Sequence, residues 1–578
     1  MIPPEDLRYG LDVTGLDPVA LGDALKAVMN EAAADPTRML SWTMSLAMSQ
    51  QTAALNLMRR LTSEFGGQST AKPADRRFAD PGWTGNPFLQ GLAETYLDQS
   101  RAAMALIAGS QLPATTRRKA AFAMRMLTDA LSPSNVPWIN PAVAREAMET
   151  GGASLIRGMN TYLEDVQHNG GMPRQIDANA FTLGVDIAAT PGRIVFRNEL
   201  IELIAYEPQT AAVHAIPLLC SPPWINKYYV MDLAPNRSFI EWAVRHGHAT
   251  FAISYRNPDA AQRDFGIDDY LRLGLLAAMD AVERITGKPQ VNIAALCLGG
   301  TLTLILLAYL AARGEAARVA SATVTNTLVD FSDPGELGVF TDEATIERLE
   351  ARMNERGFLD ANEMARTFDL LRSNDLIWSY VVNNWFLGKV PPAFDILAWN
   401  ADATRMPATM HSQYLRSCYL RNLIAQPNQF SVAGVPIDLG LIRTPLYVLA
   451  AESDHIAPWR SAYRTINHVS SDDARFTLSN AGHIAGIVNP PGNAKAVHWT
   501  SDRVDRAQSA DAWHAAAERR PGTWWEDWAV WVAARSGALE TPPDLPPGAA
   551  APGSYVRNED GPPLAAAGRR RTKPKTKR

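Results

Sequence analysis

Three side chains of types that can do acyl transfer stand in suitable settings along this chain. Cys297 falls in ALCLGG, between the apolar runs VNIAA and TLTLILLAYL. That order reads as strand, sharp turn and helix, with the thiol presented at the turn. Ala295 and Gly299, two before and two after Cys297, are expected to crowd one another and so must be small. The helix that follows points its N-terminus at the thiol and favours the thiolate. The Leu298 N–H is placed to donate to an oxyanion. Asp454 comes 157 residues later, at the end of the strand-like PLYVLAAES, and His483 another 29 on, in the glycine-bounded loop AGHIAG after RFTLS. A histidine held by a carboxylate can take the thiol proton and later return a proton to a leaving group. His455, beside Asp454, is expected to face away from it and reads as a structural or supporting residue. Cys220, followed by two prolines, and Cys418, in a helical pattern, read as packing.

The elements around these residues follow from hydropathy. From residue 1 to about 190 the pattern is helical: ALGDALKAVMNEAA, MLSWTMSLAMSQQTAALNLMRRL and PFLQGLAETYLDQSRAAMALIA repeat apolar positions at three and four. RIVFRNELIELIAYE alternates like a hairpin. Strand-like HAIPLLCS, ATFAISYR, VNIAALC, VASATVTNTLVD and PLYVLAAESD then alternate with helical RSFIEWAVRHG, DDYLRLGLLAAMDAVERITG and GTLTLILLAYLAARG. This βαβα order predicts a parallel sheet with helices on both faces. Between about 333 and 437 the alternation lapses into helical sequence, an insertion that reads as a cap over the sheet's carboxyl edge. The tryptophan-rich AWHAAAERRPGTWWEDWAVWVA reads as a packed amphipathic helix rather than a binding surface. From Thr541 the chain is rich in Pro and Gly and reads as irregular or disordered.

The chain has 578 residues, 47% hydrophobic and 20% charged, a globular composition with room for two or more domains. Three cysteines without C-x-x-C spacing exclude a disulfide framework and suit a reducing compartment, expected to be the cytoplasm. MIPPEDLRYGLDVTG lacks the basic-then-apolar order of a secretory leader. No apolar run reaches the ~18–20 residues of a membrane-spanning helix. The net charge is −5, yet the last ten residues, RRRTKPKTKR, carry seven positive charges. Such a tail suits contact with nucleic acid or anionic surfaces, or is simply a solvated end.

Beyond the three side chains, longer blocks carry a resemblance. TPGRIVFRNELIELIAYEP, PPWINKYYVMDLAPNRSFIEWAVRHG, RSNDLIWSYVVNNWFLG, ILAWNADATRMPATMHSQYLR and AGHIAGIVNPP stand in one order, with APGSYV near the end. Together they resemble the class I poly(3-hydroxyalkanoate) synthases over roughly residues 80 to 556. The resemblance implies an α/β-hydrolase fold with a helical cap insertion (about 333–437) inside a catalytic domain at 191–535. A mostly helical N-terminal domain (1–190) would precede it, and a Pro/Gly-rich, basic C-terminal tail (536–578) would follow. It implies polymerisation of (R)-3-hydroxyacyl-CoA, short-chain units such as 3-hydroxybutyryl-CoA, with release of CoA through acyl-cysteine intermediates. The CoA thioester is the substrate, and no cofactor or metal is implied.

Carried over position by position, the nucleophile falls on Cys297, the acid on Asp454 and the histidine on His483. Ile225 and Asn226 lie in the loop that supplies the second oxyanion N–H. Trp399 resembles a tryptophan implicated in subunit contact and activity, and Arg372 an arginine near the substrate path; core filling and a helix-end cap are their plainer roles. The implied partners are the growing polyester and granule surface, a second copy in a homodimer, and granule-coat proteins. Two departures stand out: Ala295 occupies the first glycine of the family's Gly-x-Cys-x-Gly-Gly box, and about 22 residues extend past Val556. Two other readings stay open, a thioesterase or depolymerase of the same fold and a catalytically silent granule protein.

Overall fold

The computed structural model describes residues 17–62, 75–177, 179–501 and 504–560. The basic cluster RRRTKPKTKR lies outside the described residues. The N-terminal region is helical, with α1 (Pro18–Ala34), α2 (Pro36–Thr62), α3 (Pro87–Ala108), α4 (Ala114–Ala130) and α5 (Ala153–His168) as its longest helices. Helix α1 starts where it does because Asp17 accepts a hydrogen bond from the Val19 N–H and Pro18 fills the first helical position. Its buried stripe, Leu21, Ala24, Val28 and Ala32, repeats at three and four and packs on α4, while α2 lies along α3. The outer side of α2 exposes Leu40, Met44, Met48, Leu55 and Met58.

A ten-stranded sheet follows. Its strands are β1 (Gly192–Arg197), β2 (Ile201–Tyr206), β3 (Leu218–Ser221), β4 (Thr250–Tyr255) and β5 (Val291–Leu296). The remaining five are β6 (Val319–Thr325), β7 (Leu446–Ala451), β8 (Ala474–Ser479), β9 (Val497–Ser501) and β10 (Glu518–Pro521). They lie in the order β1-β2-β4-β3-β5-β6-β7-β8-β9-β10, parallel from β4 to β8 and antiparallel at both margins. The expected hairpin is the β1–β2 pair. The central strands are buried on both faces, which explains why their sequences are continuous apolar runs.

One face, through Leu203, Leu219 and Ile293, meets α7 (Ala277–Thr286) and α8 (Leu298–Ala312). The other, through Ile204, Cys220 and Leu296, meets α6 (Phe239–Arg245) and α13 (Trp524–Ala533). The helix predicted ahead of β5 is a helical run with a π-helical stretch at Tyr270–Leu276 leading into α7. The tryptophan-rich stretch is not one helix but the short helix Ala510–Ala516, β10 and α13; its Trp513, Trp524, Trp525, Trp528 and Trp531 are all buried, so the cluster is core.

Between β6 and β7 the chain leaves the sheet at 326–445. This insertion carries α9 (Glu343–Arg356), α10 (Ala361–Leu371) and α11 (Ala408–Tyr414). After β7 comes α12 (Trp459–His468). The Pro/Gly-rich stretch after Thr541 takes the irregular rather than the disordered form. Ile194 N–H donates to Ala549 O at 2.8 Å and Ala551 N–H to Gly192 O at 2.9 Å, so this stretch covers the free edge of β1. It ends in the turn Tyr555–Arg557, with Tyr555 and Val556 buried. Among the described residues no helix is long and apolar enough to cross a membrane.

Two histidines are held neutral inside this fold. Burial, with His214 and His246 adding to it, pushes His248 down to about 3, and burial pushes His411 to about 3 against the pull of Glu350. An unfolded histidine titrates near ~6.5. Below that pH the unfolded chain takes up protons that the folded chain refuses. The stability these two contribute is therefore full above ~6.5 and is lost progressively as pH falls toward about 3. At pH 5 the loss is about 2 kcal/mol per histidine. A thermal midpoint that falls between pH 7.5 and 5, with a shallower fall in His248→Phe, is the expected outcome. A flat profile would refute the buried neutral state.

Candidate active site

Cys297 follows the last residue of β5 and precedes the first of α8. Its backbone has φ 50° and ψ −116°, a strained conformation for a residue with a side chain. The turn is pinned from neighbouring strands: Cys297 N–H donates to Thr325 O at 2.8 Å, and Thr327 Oγ1 donates to Cys297 O at 3.2 Å. The glycines after it are forced by close approach. A Cβ on Gly299 would lie 2.1 Å from Ser221 O, and one on Gly300 would lie 2.0 Å from Thr327 Oγ1.

The crowding of Gly299 therefore comes from the end of β3 and the residue after it, not from Ala295 as the spacing suggested. Ala295 sits in regular β5, paired with Val324 and Ser221, and is buried in the core. No positive φ is required of it, so alanine serves where the resemblance leads one to expect glycine.

Asp454 and His483 come from the loops after β7 and β8 and meet below Cys297. His483 Nδ1 lies 2.6 Å from Asp454 Oδ2, and both side chains are buried. Asp454 Oδ1 accepts the N–H groups of Ile456 and Ala457, each at 2.8 Å, which fixes the carboxylate. Cys297 lines the same cavity as the imidazole, near enough to act on its titration. Burial alone would lower the His483 pKa. The charges of Asp454 and Cys297 and the hydrogen bonds to both outweigh it and raise the group to about 10. A basic imidazole held by a carboxylate and set beside a thiol is placed to take the thiol proton.

These groups open into a cavity of about 720 Å³. Cys297, Leu298, Ile225, Asn226, Trp399 and Arg372, with His483, all line it. The insertion supplies much of its wall, with Phe340, Leu349, Met364, Phe368, Tyr414 and Tyr419 among the lining residues. The Leu298 N–H, first in α8, has no acceptor among the described residues. Arg372 ends α10 as its cap and pairs with Asp375 at 2.6 Å, so it both closes the helix and faces the cavity. Trp399 is buried, its Nε1–H donating to Lys227 O at 2.8 Å, so within this chain it fills core beside the cavity rather than presenting a surface.

His455 lines the cavity too; burial and Arg372 lower its pKa against the pull of Asp454. Cys220 and Cys418 are buried, and burial pushes both thiols up, which makes them inert. Among the described residues no three His, Cys, Asp or Glu side chains gather as a metal-ligand set.

Two residues of the site were missed in the sequence. Asn326, at φ 48° just past β6, donates from Nδ2 to His483 O at 2.5 Å. Thr327, next along, holds the Cys297 carbonyl. The one signal was an asparagine ending a strand-like run, a residue type that accepts left-handed backbone.

Comparison with known proteins bears on this geometry. Residues 74–243 match the family described as poly-beta-hydroxybutyrate polymerase (PhaC) N-terminus, and residues 213–490 match the alpha/beta hydrolase fold. The chain is 44% identical over 496 residues to a poly(3-hydroxyalkanoate) polymerase of Methylorubrum extorquens, covering 84% of this chain and 81% of that protein. It is 41% identical to poly(3-hydroxyalkanoate) polymerase 2 of Ectopseudomonas oleovorans, over 84% and 86% of the two chains. It is 40% identical to the poly(3-hydroxyalkanoate) polymerase subunit PhaC of Cupriavidus necator, over 83% and 82%. The expected α/β-hydrolase architecture is thus present, with the strand order described above.

Proposed function

The chain belongs to the poly(3-hydroxyalkanoate) polymerase family, acyltransferase-type enzymes that build polyhydroxyalkanoate, and from that premise we propose an acyl-cysteine route through Cys297. The Cys297 thiolate attacks the carbonyl carbon of an (R)-3-hydroxyacyl-CoA, and the oxyanion is met by the Leu298 N–H and an N–H of the Ile225–Asn226 loop. Collapse breaks the carbon–sulfur bond to CoA, whose thiolate takes the proton from His483. In the second half His483 removes the proton of a 3-hydroxyl on another acyl unit or on the growing chain. That oxygen attacks the acyl-cysteine, an ester forms, and the Cys297 thiolate returns.

The observation that carries this reading is the Asp454–His483 pair beside Cys297, opening on a largely apolar cavity. Asp454 acts through His483 in it: both carboxylate oxygens are already engaged, and the side chain does not line the cavity. An apolar enclosure suits polymer growth, because water reaching the acyl-cysteine would end the chain by hydrolysis.

We take short-chain units such as 3-hydroxybutyryl as the substrate, on the resemblance to class I enzymes. The growing polyester granule in the cytoplasm is the proposed site of action, supported by the exposed Leu and Met side chains of α2. A homodimer, granule-coat proteins, and anionic surfaces or nucleic acid for the basic tail complete the proposed partners.

The test follows CoA release and insoluble polymer together over a panel of (R)-3-hydroxyacyl-CoA substrates of increasing length. Release matched by polymer, fastest for the four-carbon unit, is expected. Release with only soluble hydroxyacid would replace the synthase reading with a hydrolase.

A further inference from the structure

The loop that carries Ile225 and Asn226 is held almost wholly by residues remote in sequence. Ile225 O accepts from Thr404 Oγ1 at 2.8 Å, Asn226 bridges to Ala403, and Lys227 O accepts from Trp399. Tyr229 OH donates to Asp402 at 3.0 Å. Those contacts fasten the loop to the insertion. A second fastening runs the other way. The Lys227 side chain is 2% exposed, and its ammonium donates to Val556 O at 2.9 Å and to Asn558 Oδ1 at 2.5 Å.

Asn558 Oδ1 also accepts from Asn257 Nδ2 at 3.0 Å, and Asn257 Oδ1 accepts the Arg405 N–H at 2.8 Å, which returns the path to the insertion. The turn that presents these acceptors is itself anchored to the sheet. The fully buried Glu202 of β2 accepts the N–H groups of Ser554 and Tyr555, each at 3.0 Å, and pairs with Arg197. A lysine is costly to bury without partners. Here burial lowers its pKa, Asp402 opposes that shift and Arg405 adds to it.

We propose that Lys227 is a positioning residue for acyl transfer, locking the Ile225–Asn226 loop to the turn Ser554–Asn558 so that its amide points at the oxyanion. The inference rests on the acyl-cysteine reading above. The ammonium touches neither substrate nor Cys297; it acts through the backbone of its own loop. Displacement of an oriented group by about 1 Å can cost on the order of 10²-fold in rate, and a donor aimed only at the transition state changes kcat more than KM.

Asn558 allows a clean test, because its φ of 61° is tolerated by glycine. Asn558→Gly keeps the turn and removes the shared acceptor, whereas Asn558→Asp restores an acceptor for the ammonium. In the full chain, Asn558→Gly is expected to lower kcat for CoA release about 10²-fold with KM within about two-fold and the thermal midpoint unchanged. Asn558→Asp is expected to recover most of the rate, and Lys227→Met to behave like Asn558→Gly. A wild-type kcat in Asn558→Gly, a loss that tracks a fall in midpoint, or no recovery in Asn558→Asp overturns the inference. Cys297→Ala, run alongside, separates the premises. If that variant still releases CoA, the acyl-cysteine reading falls and the oxyanion role of the loop falls with it. If it is inactive while Asn558→Gly is unimpaired, the role given to Lys227 alone is lost.

Discussion

Cys297→Ala is expected to lose polymer formation by about 10³–10⁴-fold or more while folding normally. The alanine methyl keeps the Cβ of the elbow, so the hydrogen bonds of Cys297 N–H to Thr325 and of Thr327 to the Cys297 carbonyl survive. What disappears is the atom proposed to accept the acyl group, and neither remaining cysteine replaces it. Cys220 and Cys418 are buried with their thiols pushed up, and the triad has no second nucleophile. Removing the sulfur also removes one of the interactions that raise His483, so the imidazole should titrate lower in this variant. CoA release, polymer mass and an NMR titration of His483 measure all three effects. Wild-type polymer yield from Cys297→Ala would make the thiol structural and leave the family's chemistry to another group. Loss of polymer with intact folding excludes the silent-scaffold reading.

Asp454→Asn should be nearly as damaging, with kcat down about 10³–10⁴-fold and substrate affinity little changed. The reason lies in which atoms an amide can offer. Oδ1 must accept from the N–H groups of Ile456 and Ala457, so the oxygen of asparagine is held on that side. Its NH₂ group then faces His483 Nδ1, where Asp454 presented an acceptor. His483 answers by carrying its proton on the edge that faces Cys297, the wrong tautomer for taking one away. The carboxylate charge that sustains the imidazolium is lost as well. Activity within about ten-fold of the parent enzyme would show that the carboxylate is dispensable.

The triad was legible because each member ends a strand-like run in a loop with a recognisable turn. Cys220 lies near the end of a strand as well, and what separates it from Cys297 is the glycine pair that lets α8 begin against Ser221 and Thr327. Residues that act through backbone groups left no comparable mark. Asn326 holds a carbonyl of the His483 loop, Thr327 a carbonyl of the elbow, and Lys227 the Val556 carbonyl, and any residue type supplies those groups.

The Pro/Gly-rich stretch after Thr541 shows a related limit. Its composition reports that no ladder or helix continues there, and says nothing of whether Tyr555 and Val556 are buried. Ala295 is a further case: from spacing alone it looked like the crowded position, and the structure moves the crowding to the carbonyls of Ser221 and Pro222.

The grip of Asn558 on Lys227 closes a loop of 331 residues. During synthesis on the ribosome the elbow, the insertion and both triad loops emerge before the residues that complete this contact. A nascent or truncated chain that ends before Asn558 holds a nucleophile and a base but lacks the last fastening of the oxyanion loop. On the role proposed for Lys227, a chain cut short of Asn558 transfers acyl groups more slowly than one that carries it.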